Sequence, residues 1–441
     1  MCNKNVSASM LADIMSVSKR TIESWNKNGK ITALKNGEYA LNNLKHFPQI
    51  QAMLESNWEK DLRITAMKPY RSIELFAGAG GLAIGLEKAG FNAVVLNEID
   101  KNACNTLRYN RPDWHVVEGD ISHVDFSYYQ DIDFVSGGFP CQAFSYAGNK
   151  LGFEDTRGTL FFEFSRVIKE IQPKVFLAEN VRGLLSHDKG KTLATIRSVI
   201  HELGYTLIEP KILKAIFYRV PQKRERLFLV GIRNDLVEHA NFSWPEPYSR
   251  VLTLADALKK GELYQTDCPA SQGQVYPKRK KEILELIPPG GCWVDLPDDI
   301  QKEYMQKSYF LGGGKTGMAR RLSYDNPSLT LTCAPAQKQT ERCHPTETRP
   351  LTIREYARIQ TFPDDWTFTG SVSSQYKQIG NAVPVNLAYA MGQKLIELLN
   401  GIEQNLSVEQ TLLNQHNNVE HIYRDNKNNG DHPSILVACP S

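Results

Sequence analysis

The stretch Ser72-Ile73-Glu74-Leu75-Phe76-Ala77-Gly78-Ala79-Gly80-Gly81-Leu82 decides how this chain folds. An apolar run that ends in a glycine-rich turn and opens a helix is the first βα unit of an open sheet. Glycines at 78, 80 and 81 let the backbone turn sharply and leave space for a ligand at the carboxyl end of the strands. Outward from that turn, apolar strands alternate with amphipathic helices, the signature of a doubly wound parallel sheet. Expected strands are Ser72 to Phe76, Ala93 to Asn97, His115 to Glu118, Ile132 to Ser136, Val175 to Glu179, Tyr205 to Leu213 and Arg226 to Gly231.

Such a loop implies a nucleotide-type ligand and is shared by NAD, FAD and S-adenosylmethionine proteins. Glu98 ends the second expected strand, where a carboxylate can accept from both ribose hydroxyls. Asp120 ends the third, where it can accept from an adenine amino group. A ribose acid suits NAD equally, but the acid at 120 and the octapeptide Gly138-Phe139-Pro140-Cys141-Gln142-Ala143-Phe144-Ser145 favour S-adenosylmethionine. Pro140 fixes the backbone before Cys141 at the end of a buried strand, which presents the thiol instead of packing it. The segment that follows, through Gly148 and Gly152 to Arg157-Gly158, reads as a glycine-punctuated lid.

The 441 residues exceed a usual single core. Eight cysteines without CxxC pairs or regular spacing indicate neither a disulfide framework nor a metal site, and reduced thiols are expected. No apolar stretch approaches the roughly 20 residues that span a bilayer, and no signal peptide is evident, so a cytoplasmic protein without membrane contact is expected.

Residues 1–66 read as a separate winged helix-turn-helix module. Ser7 and Ser18 are placed to cap two short helices around the turn Ser16-Val17-Ser18, and Asn36-Gly37 predicts a type I′ hairpin as a wing. Lys19, Arg20 and Thr21 then begin the second helix, where a recognition helix meets a major groove. With 9 Lys and Arg against 6 Asp and Glu, this module carries the whole +3 excess of the chain. A small helical packing or dimerisation domain is the alternative. The catalytic α/β domain is expected over 67–240 and an irregular second domain over 241–345. A return segment over 346–400 completes the catalytic domain, and a polar, disordered tail is expected over 401–441.

The motifs Phe76-Ala77-Gly78-Ala79-Gly80-Gly81, Asn97-Glu98, Gly119-Asp120, Gly138-Phe139-Pro140-Cys141-Gln142, Glu179-Asn180-Val181, Gln222-Lys223-Arg224-Glu225-Arg226, Arg349-Pro350-Leu351-Thr352 and Gly380-Asn381-Ala382-Val383-Pro384 follow one another over about residues 70 to 395. In this order they resemble the DNA (cytosine-5) methyltransferases of bacterial restriction-modification systems. The resemblance implies a Rossmann-like catalytic domain and a smaller target-recognition domain flanking a cleft, with S-adenosyl-L-methionine as cofactor and double-stranded DNA as substrate. It implies Cys141 as the nucleophile towards carbon 6 of a flipped cytosine and Glu179 as the group acting on ring N3. Arg226, and next to it Arg224, are implied at the base's carbonyl. Cofactor contacts are carried over to Phe76, Ala77, Gly78, Gly80, Gly81, Leu82, Glu98, Asp120, Ile121, Pro140, Asn381 and Ala382.

In the irregular region, Arg320, Arg321, Lys338, Gln339, Thr340, Arg342 and His344 lie on loops suited to base-edge and phosphate contacts. The run Lys278 to Lys281 reads equally as a solvated face. Some relatives bind their own promoter through an N-terminal module, so autoregulation is an expectation for residues 1–66. A monomer is expected for catalysis, with a dimer as the alternative when bound through that module. Two other readings are a tRNA cytosine-5 methyltransferase and a DNA-binding regulator with an inactive methyltransferase domain. The roughly 100-residue recognition region speaks against the first, and the presence of both Cys141 and Glu179 against the second.

Overall fold

The computed structural model describes residues 5–139, 159–311 and 317–428, without the side chains of Glu59, Asp61 and 413–428. Helices α1 (Ala8–Met15) and α2 (Lys19–Lys27) open the chain. Their caps are the serines expected: Met10 N donates to Ser7 Oγ at 3.2 Å and Thr21 N to Ser18 Oγ at 3.0 Å. Ser16, in the left-handed region at φ +60°, makes the turn between them. Leu11, Ile14, Ile22, Ile50 and Met53 close a small core.

The expected wing is corrected. Tyr39–Ala40 pairs antiparallel with Asn5–Val6, and not with the segment on the other side of Asn36-Gly37. A type I′ turn needs positive φ at both central residues, and of Asn36 and Gly37 only Gly37 has it. Leu34 N still reaches Glu38 O at 2.7 Å, but no ladder follows.

The main sheet has eight strands: β1 (Tyr70–Leu75), β2 (Phe91–Glu98), β3 (Val116–Glu118), β4 (Phe134–Gly137), β5 (Val175–Val181), β6 (Tyr205–Leu207), β7 (Lys211–Lys214) and β8 (Glu225–Arg233). Their order is 3-2-1-4-5-8-6, with β7 also on β8. Strands 3-2-1-4-5 are parallel, as expected. The second half departs from the expectation, because β8 runs antiparallel to β5, β6 and β7. The single strand expected over 205–213 is two strands, since Pro210 between them has no N–H to give to a ladder.

Strand order reverses between β1 and β4, and the crevice beyond their carboxyl ends is the usual ligand site of such sheets. Helix α3 (Gly81–Ala89) follows the glycine loop and packs on α4 (Val385–Asn428) so closely that a Cβ at Gly85 would lie 2.3 Å from that of Ala388. In this way the end of the chain returns to the first strand. The polar tail expected from 401 is corrected: α4 continues to Asn428, Ile402 is fully buried, and Glu403 pairs with Lys68 at 3.0 Å. Mean polarity hid a helix whose first turns past 400 are held by the sheet's lower edge.

Residues 276–343 hold a second core of Tyr276, Leu284, Ile287, Tyr304, Met305 and Cys343. Within it Lys280, from the charge run, is a partner of the fully buried Glu341 at 2.5 Å. No helix among the described residues is long and apolar enough to cross a membrane.

Candidate active site

The site begins at the turn after β1. Phe76 has φ +56°, in the left-handed region where a bulky side chain is strained, and Gly78 and Gly80 follow at +55° and +89°. Nothing lies within 4 Å of a Cβ built on Gly78, so the loop's outer face is open to a ligand. At Gly81 the opposite holds: a Cβ would sit 2.3 Å from Val383 O and 3.0 Å from the Cβ of Ala382. Glycine there lets the Asn381-Ala382 motif close on the glycine loop from about 300 residues away.

Glu98 ends β2 as expected and fastens the loop. Its Oε2 accepts from Gly78 N at 2.7 Å, and its Oε1 from Ile99 N and Asp100 N at 2.9 and 2.8 Å. Three of a carboxylate's roughly four acceptor positions are thus taken by the backbone of the loop and of the strand end. Asp120 uses Oδ1 to cap the short turn that carries buried Ile121, accepting from Ser122 N at 2.9 Å. These hydrogen bonds hold its carboxyl below the usual carboxylate range. An open glycine loop flanked by two fixed carboxylates fits S-adenosylmethionine, with Leu82 and Ala77 buried beneath it.

On the other side of the crevice, Glu179 near the end of β5 meets Arg226 near the start of β8, Nε to Oε1 at 2.5 Å, both about 12% exposed. Burial raises the Glu179 pKa above the carboxylate range, and the charges of Arg226 and Arg224 oppose that rise. A Cβ at Gly138 would lie 2.8 Å from Glu179 Oε2, so this glycine makes room for the carboxyl group. Asn180 Nδ2 donates to Phe139 O at 2.8 Å and ties the end of β5 to the backbone leading towards residue 140. Pro140, Cys141 and the segment through Gly158 lie outside the described residues.

Arg224 corrects the sequence reading. It is buried and spends its guanidinium on Leu331 O, Gly380 O and Asn381 O at 3.2, 3.0 and 3.3 Å, so it braces the Gly380-Asn381 motif and does not point at a base. Burial, and then the nearby charge of Arg226, push its pKa down. The sequence reading missed two partners in this brace. Gln360 donates to Ile379 O at 2.8 Å and Ala382 O at 3.1 Å and accepts from Gln222 at 2.8 Å, while Cys333 Sγ donates to Asn381 Oδ1 at 3.3 Å. The polar pair Gln360-Thr361 between the apolar Ile359 and Phe362 was the available signal.

Two expected DNA contacts are also corrected. Arg321 is buried, bonded to Leu284 O at 2.7 Å and His344 O at 3.2 Å, and Arg342 is buried against Glu341 O and Thr330 O. Paired side chains with no exposed surface staple the second core and cannot reach a groove; His344 is buried with them. Arg320, bonded to Gly290 O at 2.7 Å, and Lys338 stay near the surface. Lys19, Arg20 and Thr21 begin α2, and Lys19 is 64% exposed beside Glu23.

A sheet ordered 3-2-1-4-5 with a glycine loop at its switch point, an acid ending β2 and a buried Glu–Arg pair across the crevice defines a doubly wound methyltransferase. Residues 70–397 match the family of C-5 cytosine-specific DNA methylases. The chain is 63% identical over 410 residues to the Type II methyltransferase M.Eco47II of Escherichia coli, covering 92% of this chain and 98% of that protein. It is 54% identical over 337 residues to the Type II methyltransferase M.Sau96I of Staphylococcus aureus, covering 76% and 77%. A solved prophage-encoded protein of E. coli superposes with a TM-score of 0.59 at 26% identity over 75% of this chain and 99% of that one. The S. pombe Dnmt2 methyltransferase shares the fold, with a TM-score of 0.50 at 19% identity over 76% and 100%. The chain belongs to the C-5 cytosine-specific DNA methylase family. It is a DNA (cytosine-5) methyltransferase of the Type II restriction-modification kind that uses S-adenosyl-L-methionine.

Proposed function

We propose that Cys141 and Glu179 together activate a cytosine flipped out of double-stranded DNA. Carbon 5 of cytosine is too weak a nucleophile to react unaided, so the ring needs covalent addition at carbon 6. The Cys141 thiolate forms the S–C6 bond, and the displaced ring electrons are drawn towards N3, where the Glu179 carboxyl gives up its proton. Bound S-adenosylmethionine supplies the electrophilic methyl group that carbon 5 then takes. Loss of the carbon-5 proton to a base, with ordered water one candidate, expels the thiolate, and return of the N3 proton to Glu179 leaves the neutral aromatic ring and the starting carboxyl group. Arg226 fixes the base and the carboxyl group that faces it. A base inside a stacked duplex is out of reach of a thiol, which requires flipping.

The observation that carries this reading is the buried Glu179 carboxyl, raised in pKa and seated on Gly138 three residues before Cys141. Methylation at a short specific site would protect host DNA from a partner endonuclease. Incubation with tritiated S-adenosylmethionine and plasmid DNA, beside Cys141→Ala, is the test, with bisulfite sequencing to find the site. Label in DNA that the variant loses is expected. Label in tRNA alone, or a Cys141→Ala protein that still methylates, would overturn it.

A further inference from the structure

The N-terminal module is not held apart from the catalytic domain. Asp13 on α1 pairs with Lys223 at 2.7 Å, and Lys223 lies three residues before Arg226. Ser16, in the turn between α1 and α2, accepts from Lys214 on β7. Apolar contacts add to this: Ile216 of the catalytic domain and Val251 just beyond it are buried in the same core as Leu11, Ile14 and Ile22.

Between the two lies a cavity of about 470 Å³. The module lines it with Asp13, Ser16 and Val17, and the catalytic domain with Arg182, Lys223 and Arg226. The residue that faces Glu179 therefore also faces the helix-turn-helix turn. Bases dominate acids on the catalytic side of this cavity, which suits a phosphodiester backbone. Lys19 and Arg20 start α2 two and three residues beyond Val17, which lines the cavity, and both are exposed. The likeness to the E. coli relative, over 410 residues, also extends beyond the family span of 70–397 and so includes part of this region.

We propose that residues 5–55 form a fixed wall of the catalytic cleft, and that the start of α2 contacts the phosphates of the DNA being methylated. The module then serves methylation itself by extending the substrate-binding surface next to the flipped base. A freely tethered promoter-binding domain would have no need of an ion pair and a shared core beside Arg226. This inference rests on the reading of Glu179 and Arg226 as the catalytic centre.

The test uses the full-length enzyme carrying Lys19→Glu and Arg20→Glu, with a short duplex bearing one methylation site. Wild-type methylation of that duplex checks the catalytic reading separately, and its absence would count against that reading alone. Where the wild type is active, the variant is expected to raise KM for the duplex about tenfold. The plot of log Kd against log salt should also become shallower by about 2, since each lost phosphate contact removes roughly 0.9. An unchanged KM and salt slope would overturn the proposal. So would an unchanged KM with loss of binding only to the gene's upstream DNA, because the module would then act in autoregulation.

Discussion

Arg226 Nε lies 2.5 Å from Glu179 Oε1, although the two are 47 positions apart, because β5 and β8 run antiparallel with Phe228 opposite Glu179 and Val181 opposite Arg226. Residues two apart on one strand share a face, so Arg226 and Glu179 are diagonal neighbours across the pair. A parallel β8 would have put Arg226 at the far edge of the sheet.

From this pair a pH effect follows. Burial raises the Glu179 pKa and Arg226 lowers it, so Arg226→Ala should raise it further. In the proposed mechanism the protonated carboxyl is the active form, so the alkaline fall in kcat should move to higher pH in that variant. Its maximal rate should also drop, by 10²-fold or more, as befits a lost transition-state contact. A pH–rate profile of both proteins checks this, and an alkaline limb that moves to lower pH would contradict it.

Gly138→Ala would place a Cβ 2.8 Å from Glu179 Oε2. The flexible end of the side chain can move aside, so the thermal midpoint should change little. Displacing the carboxyl by even a fraction of an ångström should still cost roughly tenfold or more in kcat. Melting curves beside single-turnover rates separate the two effects.

Gly81→Ala meets a harder obstacle, because Val383 O at 2.3 Å is backbone. Overpacking of this kind costs about 1–3 kcal/mol, and here it pries the Asn381-Ala382 motif from the cofactor loop. Weaker S-adenosylmethionine binding together with a lower denaturation midpoint is the expected pattern in calorimetry.

Glu74 lies on β1 beneath the glycine loop, and burial pushes its pKa up to about 8, aided by the charge of Glu98 and opposed by a hydrogen bond from Ala83. A raised pKa means that the folded state holds a proton the unfolded chain has released. Its contribution is therefore complete below the unfolded value near 4.5 and is lost as pH rises towards 8. Glu74→Gln should flatten this dependence and gain on the order of a few kcal/mol relative to wild type at pH 8. Denaturant midpoints measured from pH 5 to 9 would show it, and parallel curves would refute it.

Gln360→Leu removes the donor that the Ile379 and Ala382 carbonyls share and takes the acceptor from the buried Gln222 Nε2, whose Oε1 keeps its bond from Leu331 N. Unsatisfied buried groups cost about 1–3 kcal/mol, so urea unfolding should shift by at least that much.

Local signals were legible from residues alone wherever neighbours in sequence decide the outcome. Ser7 and Ser18 cap their helices because a side-chain oxygen two or three positions away suffices. The strand-turn-helix of 70–89 follows from its glycines and its apolar run in the same way. Misreadings came where distant partners decide. Arg321 and Arg342 read as DNA contacts because arginine on a loop suits phosphate, yet the surrounding loops bury them and supply carbonyls. The turn at Asn36-Gly37 formed without its wing, since the strand that claims Tyr39 is Asn5–Val6.

By itself the sequence determined the order of the motifs, the glycine loop with its left-handed turns, and the presence of Cys141 and Glu179, because these depend on residue type and short-range backbone geometry. Tertiary structure alone decided that β8 turns back against β5 and brings Arg226 to Glu179. It also decided that Arg224 braces Gly380 and Asn381, and that α1 docks through Asp13 on Lys223 at the edge of the cleft. The physical reason is common to all three: strand direction and burial are set by long-range packing, which no local pattern of residue types encodes.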